Sequence, residues 1–186
     1  MSELVRAFLS VDIESQELLS QISKTQSKLD TSSAKMKLVE IDNIHFTLRF
    51  LGDTSISIID EIRSSLSQIK FEPFNIEIQG VGAFPNNRKP RVVWIGVTQN
   101  ADNIVKLKRE IDSRLKTLGY QPEGKKFTPH ATIARVRYVK DTETFARNLG
   151  ELDDIQIGTM IVSKFNMKKS TLTPSGPIYE TLWRVP

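Results

Sequence analysis

The sequence predicts an α+β protein of two pseudo-twofold-related αβ lobes, with antiparallel sheets facing a central groove. Three observations carry that expectation. Apolar residues switch between the period of a strand and the period of a helix along the whole chain. The two histidines sit in one repeated frame, His45-Phe46-Thr47-Leu48 and His130-Ala131-Thr132-Ile133, which lie 130 − 45 = 85 residues apart. After each frame come a helix, a strand and a Pro-containing loop, and each half closes on a strand bearing a tryptophan, Trp94 or Trp183. No low-complexity linker divides the halves, so residues 1–186 read as one domain made of two intimately packed lobes.

Leu4 to Asp12 is apolar and β-prone and reads as a buried strand. Asp12 to Ser15 offer N-capping groups, and Leu18, Leu19, Ile22 and Leu29 follow at helical spacing, which predicts a helix from Ser15 to about Leu29. Ile44 to Leu51 reads as a strand stopped by Gly52-Asp53. Ile56 to Ile69 reads as a helix capped by Thr54 or Ser55. Phe74 to Gly80 alternates as a strand, 84–90 is a basic turn-rich loop, Arg91 to Val97 a strand, and Asn103 to Leu118 a helix stopped by Gly119. In the second half, Phe127 to Val136 is the strand with His130, and Thr142 to Leu149 a short helix. Ile155 to Ile157 and Met160 to Met167 are strands, Ser170 to Pro177 a polar loop, and Ile178 to Val185 the closing strand.

Bulk properties exclude several classes. The 186 residues are 39% hydrophobic and 26% charged, as in a globular protein. The absence of Cys removes disulfides, thiolate nucleophiles and Cys-rich zinc sites. No apolar run approaches the roughly 18 residues of a membrane span, and Met1 to Arg6 lacks the basic-then-apolar pattern of a signal peptide. The expectation is a cytoplasmic protein without a membrane partner. The net charge, 26 − 22 = +4, suits a polyanionic ligand.

Side chains at i and i+2 of a strand share a face. His45 therefore projects with Thr47, and His130 with Thr132. If the strands line one groove, two imidazoles and two hydroxyls converge, a set suited to phosphoester chemistry. One imidazole takes a proton from attacking water and the other protonates the departing oxygen. The hydroxyls donate to the phosphate oxygens as charge builds on them. Arg135 lies five residues past His130, an odd step, so it reaches the same face only through a bulge or the strand end. The scheme needs no metal or cofactor; a zinc site wants three protein ligands, and neither frame holds a carboxylate. Phe71, Phe74, Phe84 and Phe127 read as core. Arg88, Lys89 and Arg91 read equally as a solvated loop or as an RNA-backbone contact.

With these residues in view, the chain resembles the two-histidine (2H) phosphoesterases, and more narrowly the RNA 2′,3′-cyclic phosphodiesterases also called 2′-5′ RNA ligases. Arg6-Ala7-Phe8, residues 44–52, 80–85, 90–94, 127–135 and 170–179 carry the likeness, which spans nearly the whole chain. The resemblance implies hydrolysis of RNA 2′,3′-cyclic phosphate ends to 2′-phosphates without a metal. It implies His45 as proton donor to the 3′ oxygen, His130 as proton acceptor, and Thr47, Thr132 and Arg135 as phosphate-binding residues. The implied partner is RNA with a 2′,3′-cyclic phosphate or a 2′-5′ linkage, tRNA fragments among the candidates, acted on by a monomer. Ligation at the same site and a non-catalytic RNA-binding module are the alternatives.

Overall fold

The computed structural model describes residues 3–186; Met1 and Ser2, the start of the N-terminal stretch read above, lie outside the described residues. Nine strands and four helices follow in order: β1 (Leu4–Asp12), α1 (Gln16–Gln26), β2 (Ala34–Leu38), β3 (His45–Ser55), α2 (Ile56–Leu66), β4 (Phe74–Phe84), β5 (Val92–Gln99), α3 (Ala101–Thr117), β6 (His130–Val139), α4 (Thr142–Glu151), β7 (Gln156–Val162), β8 (Phe165–Thr173) and β9 (Gly176–Val185). All strand pairs are antiparallel, in the order β7-β4-β5-β6-β3-β1-β8-β9, with β2 added to β6.

The two lobes meet where β3 and β6 share one bridge, Phe46 with Ala131. One lobe holds β3, β1, β8 and β9, and α2 and α3 pack against β3; the other holds β6, β5, β4 and β7 with β2, and α1 packs on β7 and α4 on β4. Each lobe thus mixes both halves of the chain, whereas the sequence repeat suggests contiguous lobes of about ninety residues. The reason is pairing geometry. The β8–β9 hairpin completes the edge beside β1, and β4–β5 completes the edge beside β6, so the chain crosses the seam more than once.

Three of the four helices begin where a short polar side chain takes an orphan backbone donor. Ser15 accepts from Leu18 N, Ser55 from Ile58 N and Asp141 from Thr144 N. The apolar faces of the four helices bury Leu18, Leu19 and Ile22; Ile59, Ile62 and Leu66; Ile104, Leu107, Ile111 and Leu115; Phe145 and Leu149. Fully burying each such aliphatic side chain contributes about 1.5–3 kcal/mol. Among the described residues, no helix is long and apolar enough to cross a membrane.

Several expectations need correction. The helix from Ser15 ends at Gln26, not near Leu29, and α2 ends at Leu66. Gly52-Asp53 does not end β3, because Gly52 takes φ +73° at a register shift and pairing with β1 resumes beyond it. β6 starts at His130, so 127–129 belong to the preceding loop. The run Met160 to Met167 is two strands in different lobes, broken at Ser163-Lys164, and its first part is continuous with Ile157 in β7. Ser170 to Pro177 is not a loop but the tip of the β8–β9 hairpin, polar because it lies at the sheet edge. β2 escapes sequence reading because its five residues are too few to establish a period.

Candidate active site

His45 and His130 each open a strand, and each is tied back in the same way. His45 Nδ1 donates to the carbonyl of Asn43 at 2.7 Å, and His130 Nδ1 to that of Thr128 at 2.6 Å. With the proton on Nδ1, each Nε2 is left bare and directed away from its own backbone. The two strands bridge at Phe46 and Ala131. An antiparallel ladder continued one residue each way sets His45 opposite Thr132 and Thr47 opposite His130. Beneath the seam a fully buried phenyl meets a fully buried methyl, a large-to-small fit that lets β3 and β6 approach. Ala131 thus faces away from the site, as its odd position in the frame requires.

Arg135 joins His130 and Thr132 through a bulge. Val92 and Val93 pair with Arg135 and Ala134, but Trp94 pairs with Thr132, so Ile133 is the extra residue. Ile133 and Ala134 are both buried, and the alternation resumes with Arg135 on the opposite, solvent-facing side. The displaced Ile133 carbonyl accepts from Val39 N at 2.9 Å and from the buried Gln26 Nε2 at 2.9 Å. The guanidinium is close enough to disfavour the imidazolium at His45 and to favour the phenolate at Tyr179. β3 bulges at the matching place: Leu9 pairs with Arg49 and Ser10 with Thr47, leaving Leu48 extra. There Arg49 is buried and Phe50 is 60% exposed in the position that Arg135 holds in the other frame.

Aromatic side chains wall both histidines. Phe8 lies 5.0 Å from His45 by ring centroids, and Tyr179 meets His45 edge-on at 5.3 Å. Phe84 meets His130 edge-on at 4.9 Å, and Trp94 lies 6.1 Å away. Phe71, Phe74 and Phe127 pack against the core as expected, but Phe84 walls the site instead. Gly82 makes room for the Trp94 indole, since a Cβ there would lie 2.4 Å from it. Phe8, Trp94 and Tyr179 are legible in sequence only as strand residues, because their approach to the histidines depends on strand order.

The surroundings of the two rings differ in charge. His45 Nε2 lies 3.0 Å from Thr47 Oγ1, while His130 Nε2 has no hydrogen-bond partner among the described residues. Asp12 pairs with His45 across the β1–β3 ladder; its carboxylate accepts from Ser10 Oγ at 2.7 Å and Lys168 Nζ at 2.6 Å, and Lys168 also reaches Thr181. The residue paired with His130 is Gly96. Burial pushes the His45 pKa below its ordinary 6.5, with Lys168 and Arg135 adding to the depression; the Asn43 carbonyl and Asp12 oppose it. Arg88 of the basic loop pairs with Glu143 on α4. Among the described residues, no three His, Cys, Asp or Glu side chains gather into a metal-binding cluster.

A two-lobed α+β fold with a His–Thr strand from each lobe meeting at the seam defines the class to which comparison with known proteins should point. The chain belongs to the LigT like Phosphoesterase family, whose model matches twice, at residues 11–94 and 95–179. It is 40% identical over 177 residues to the RNA 2′,3′-cyclic phosphodiesterase of Methanothermobacter thermautotrophicus, covering 94% of this chain and 95% of the relative. It is 37% identical over 168 residues to the Aeropyrum pernix protein of the same name, covering 90% and 96%. The fold is similar to that of E. coli LigT crystallised with 3′-AMP, at 23% identity and a TM-score of 0.80 over 98% of this chain and 97% of the other.

Proposed function

We propose that this protein hydrolyses RNA 2′,3′-cyclic phosphate ends to 2′-phosphates by acid–base catalysis between His45 and His130. The observation that carries the reading is the matched tethering of the two rings, Nδ1 to the carbonyl two residues back, on adjacent strands. The names of the relatives in Methanothermobacter and Aeropyrum support the substrate. His130 Nε2 takes a proton as water attacks phosphorus. The P–O3′ bond breaks, and His45 gives its proton to the departing 3′ oxygen, leaving a 3′-hydroxyl and a 2′-phosphate. Thr47, Thr132 and Arg135 hold the non-bridging oxygens, where charge accumulates. The exposed Phe50 ring offers a flat apolar face for the base. None of the steps assigned to these groups uses a metal.

His45 must carry a proton to act as the acid, yet burial depresses its pKa in the free protein. The phosphodiester anion offsets this by favouring the imidazolium. The alkaline limb of the pH profile should therefore lie higher in kcat, which reports the complex, than in kcat/KM, which reports the free enzyme. Incubation with an RNA ending in a 2′,3′-cyclic phosphate, with and without chelator, tests the whole reading. A 2′-phosphate product in both conditions supports it. A joined strand would favour ligation, loss in chelator a metal reaction, and salt-dependent binding without turnover an RNA-binding module.

A further inference from the structure

We propose that Lys108 and Arg49 are positioning residues for His130, acting through the 119–129 segment that leads into β6. The inference rests on His130 being the proton acceptor. Both cations are buried, at 4% and 6% exposure. Lys108 Nζ lies 2.8 Å from Asp112 on α3 and 2.8 Å from Glu123 in the segment, and 5.3 Å from the Phe127 ring centroid. Arg49 Nη1 lies 3.4 Å from Asp112 and 3.6 Å from Glu123, and Nη2 donates to the Gln121 carbonyl. Tyr120 OH reaches Thr54 on β3 at 3.4 Å. An otherwise irregular segment is thus gripped at 120, 121, 123 and 127, and the next residue, Thr128, supplies the carbonyl that holds His130 Nδ1.

The comparison with His45 shows why a clamp is needed at one ring only. Asn43, the acceptor for His45, belongs to a short 3₁₀ turn over 41–43; its backbone N–H donates to Glu40, and its side chain to the Pro177 carbonyl. Thr128 has no such turn around it. Ion pairs between buried cations and carboxylates whose side chains are 29% and 41% exposed are poor simple props. Their directional bonds to Gln121 and Glu123 instead fix where the segment lies, and with it the Nδ1–H tautomer that leaves His130 Nε2 free to take a proton. Position 134, the counterpart of Arg49 in the second frame, is an alanine, so the clamp serves His130 alone.

Imidazole nitrogen NMR at alkaline pH, the condition in which the tautomer of a neutral ring is read, tests this. The chain has two histidines, so the rings are read separately. In Glu123→Gln and Lys108→Met the His130 ring should pass from the Nδ1–H tautomer to a mixture while His45 is unchanged. Alongside this, kcat should fall about tenfold, part of the roughly 10²–10⁴ a positioned base contributes, with KM within about twofold. Glu123→Asp should recover most of the loss. Should Lys108→Met fail to fold, Glu123→Gln, on an exposed segment, decides alone. An unchanged His130 tautomer in a folded variant overturns the clamp and leaves the catalytic reading intact; a tautomer shift in a protein with no phosphodiesterase activity supports the clamp and sinks the catalytic reading.

Discussion

His45 and His130 occupy the same frame on neighbouring strands, share the same backbone tether, and are followed by the same bulge, yet their surroundings are not the same. Opposite His45 stands Asp12, paired to the half-buried Lys168; opposite His130 stands Gly96. After the bulge the first frame places an arginine beneath the sheet and a phenyl above it, and the second places alanine beneath and arginine above. The frame sets where a ring sits. Which charged and phosphate-binding groups stand beside it depends on residues brought in from other strands.

The sharpest way to break the pairing is to remove either ring. His45→Ala and His130→Ala should each lower kcat/KM for a cyclic-phosphate RNA by about 10²–10⁴-fold. If one variant stays near wild-type activity, the two-histidine scheme is wrong. Next in size is the seam itself. Phe46→Ala should cost about 3–5 kcal/mol in urea unfolding, while the overpacking change Ala131→Leu should cost about 1–3 kcal/mol. Equal, negligible costs would mean that the seam is not close-packed.

Arg135→Ala removes a charge-assisted bond worth about 1.5–3 kcal/mol, so kcat/KM should fall roughly 10- to 100-fold. Phe50→Ala, at the matching place in the other frame, should raise KM more than it lowers kcat. Gln26→Leu should reproduce part of the Arg135 loss, because it removes one of the two donors that hold the bulge carbonyl at Ile133. Full activity in Gln26→Leu would show that the bulge needs no side-chain support.

The smallest expected effect is on stability. The folded pKa of His45 lies below the unfolded value of 6.5, so the folded protein binds fewer protons there. Its contribution is present above pH 6.5 and is lost as pH falls toward and through the folded value. His45→Gln should remove that part of the pH dependence in thermal melts between about pH 7 and 5, and no change on substitution would count against the depressed pKa.

The sequence by itself determined the strands and helices with strong periods, both His–Thr pairs and their shared faces, because alternation is a property of neighbouring residues. It also set the condition for Arg135, a bulge, without saying whether one exists. Only the tertiary structure decided that. The bulge shows in the pairing of β5 with β6 and in the buried Gln26 amide that takes up the Ile133 carbonyl, more than a hundred positions away along the chain. The interleaved lobes, the aromatic walls from Phe8, Phe84, Trp94 and Tyr179, and the Arg49–Lys108 clamp arise in the same way. Each depends on which strands lie side by side, and that is set by how the whole chain buries its apolar surface rather than by any local pattern.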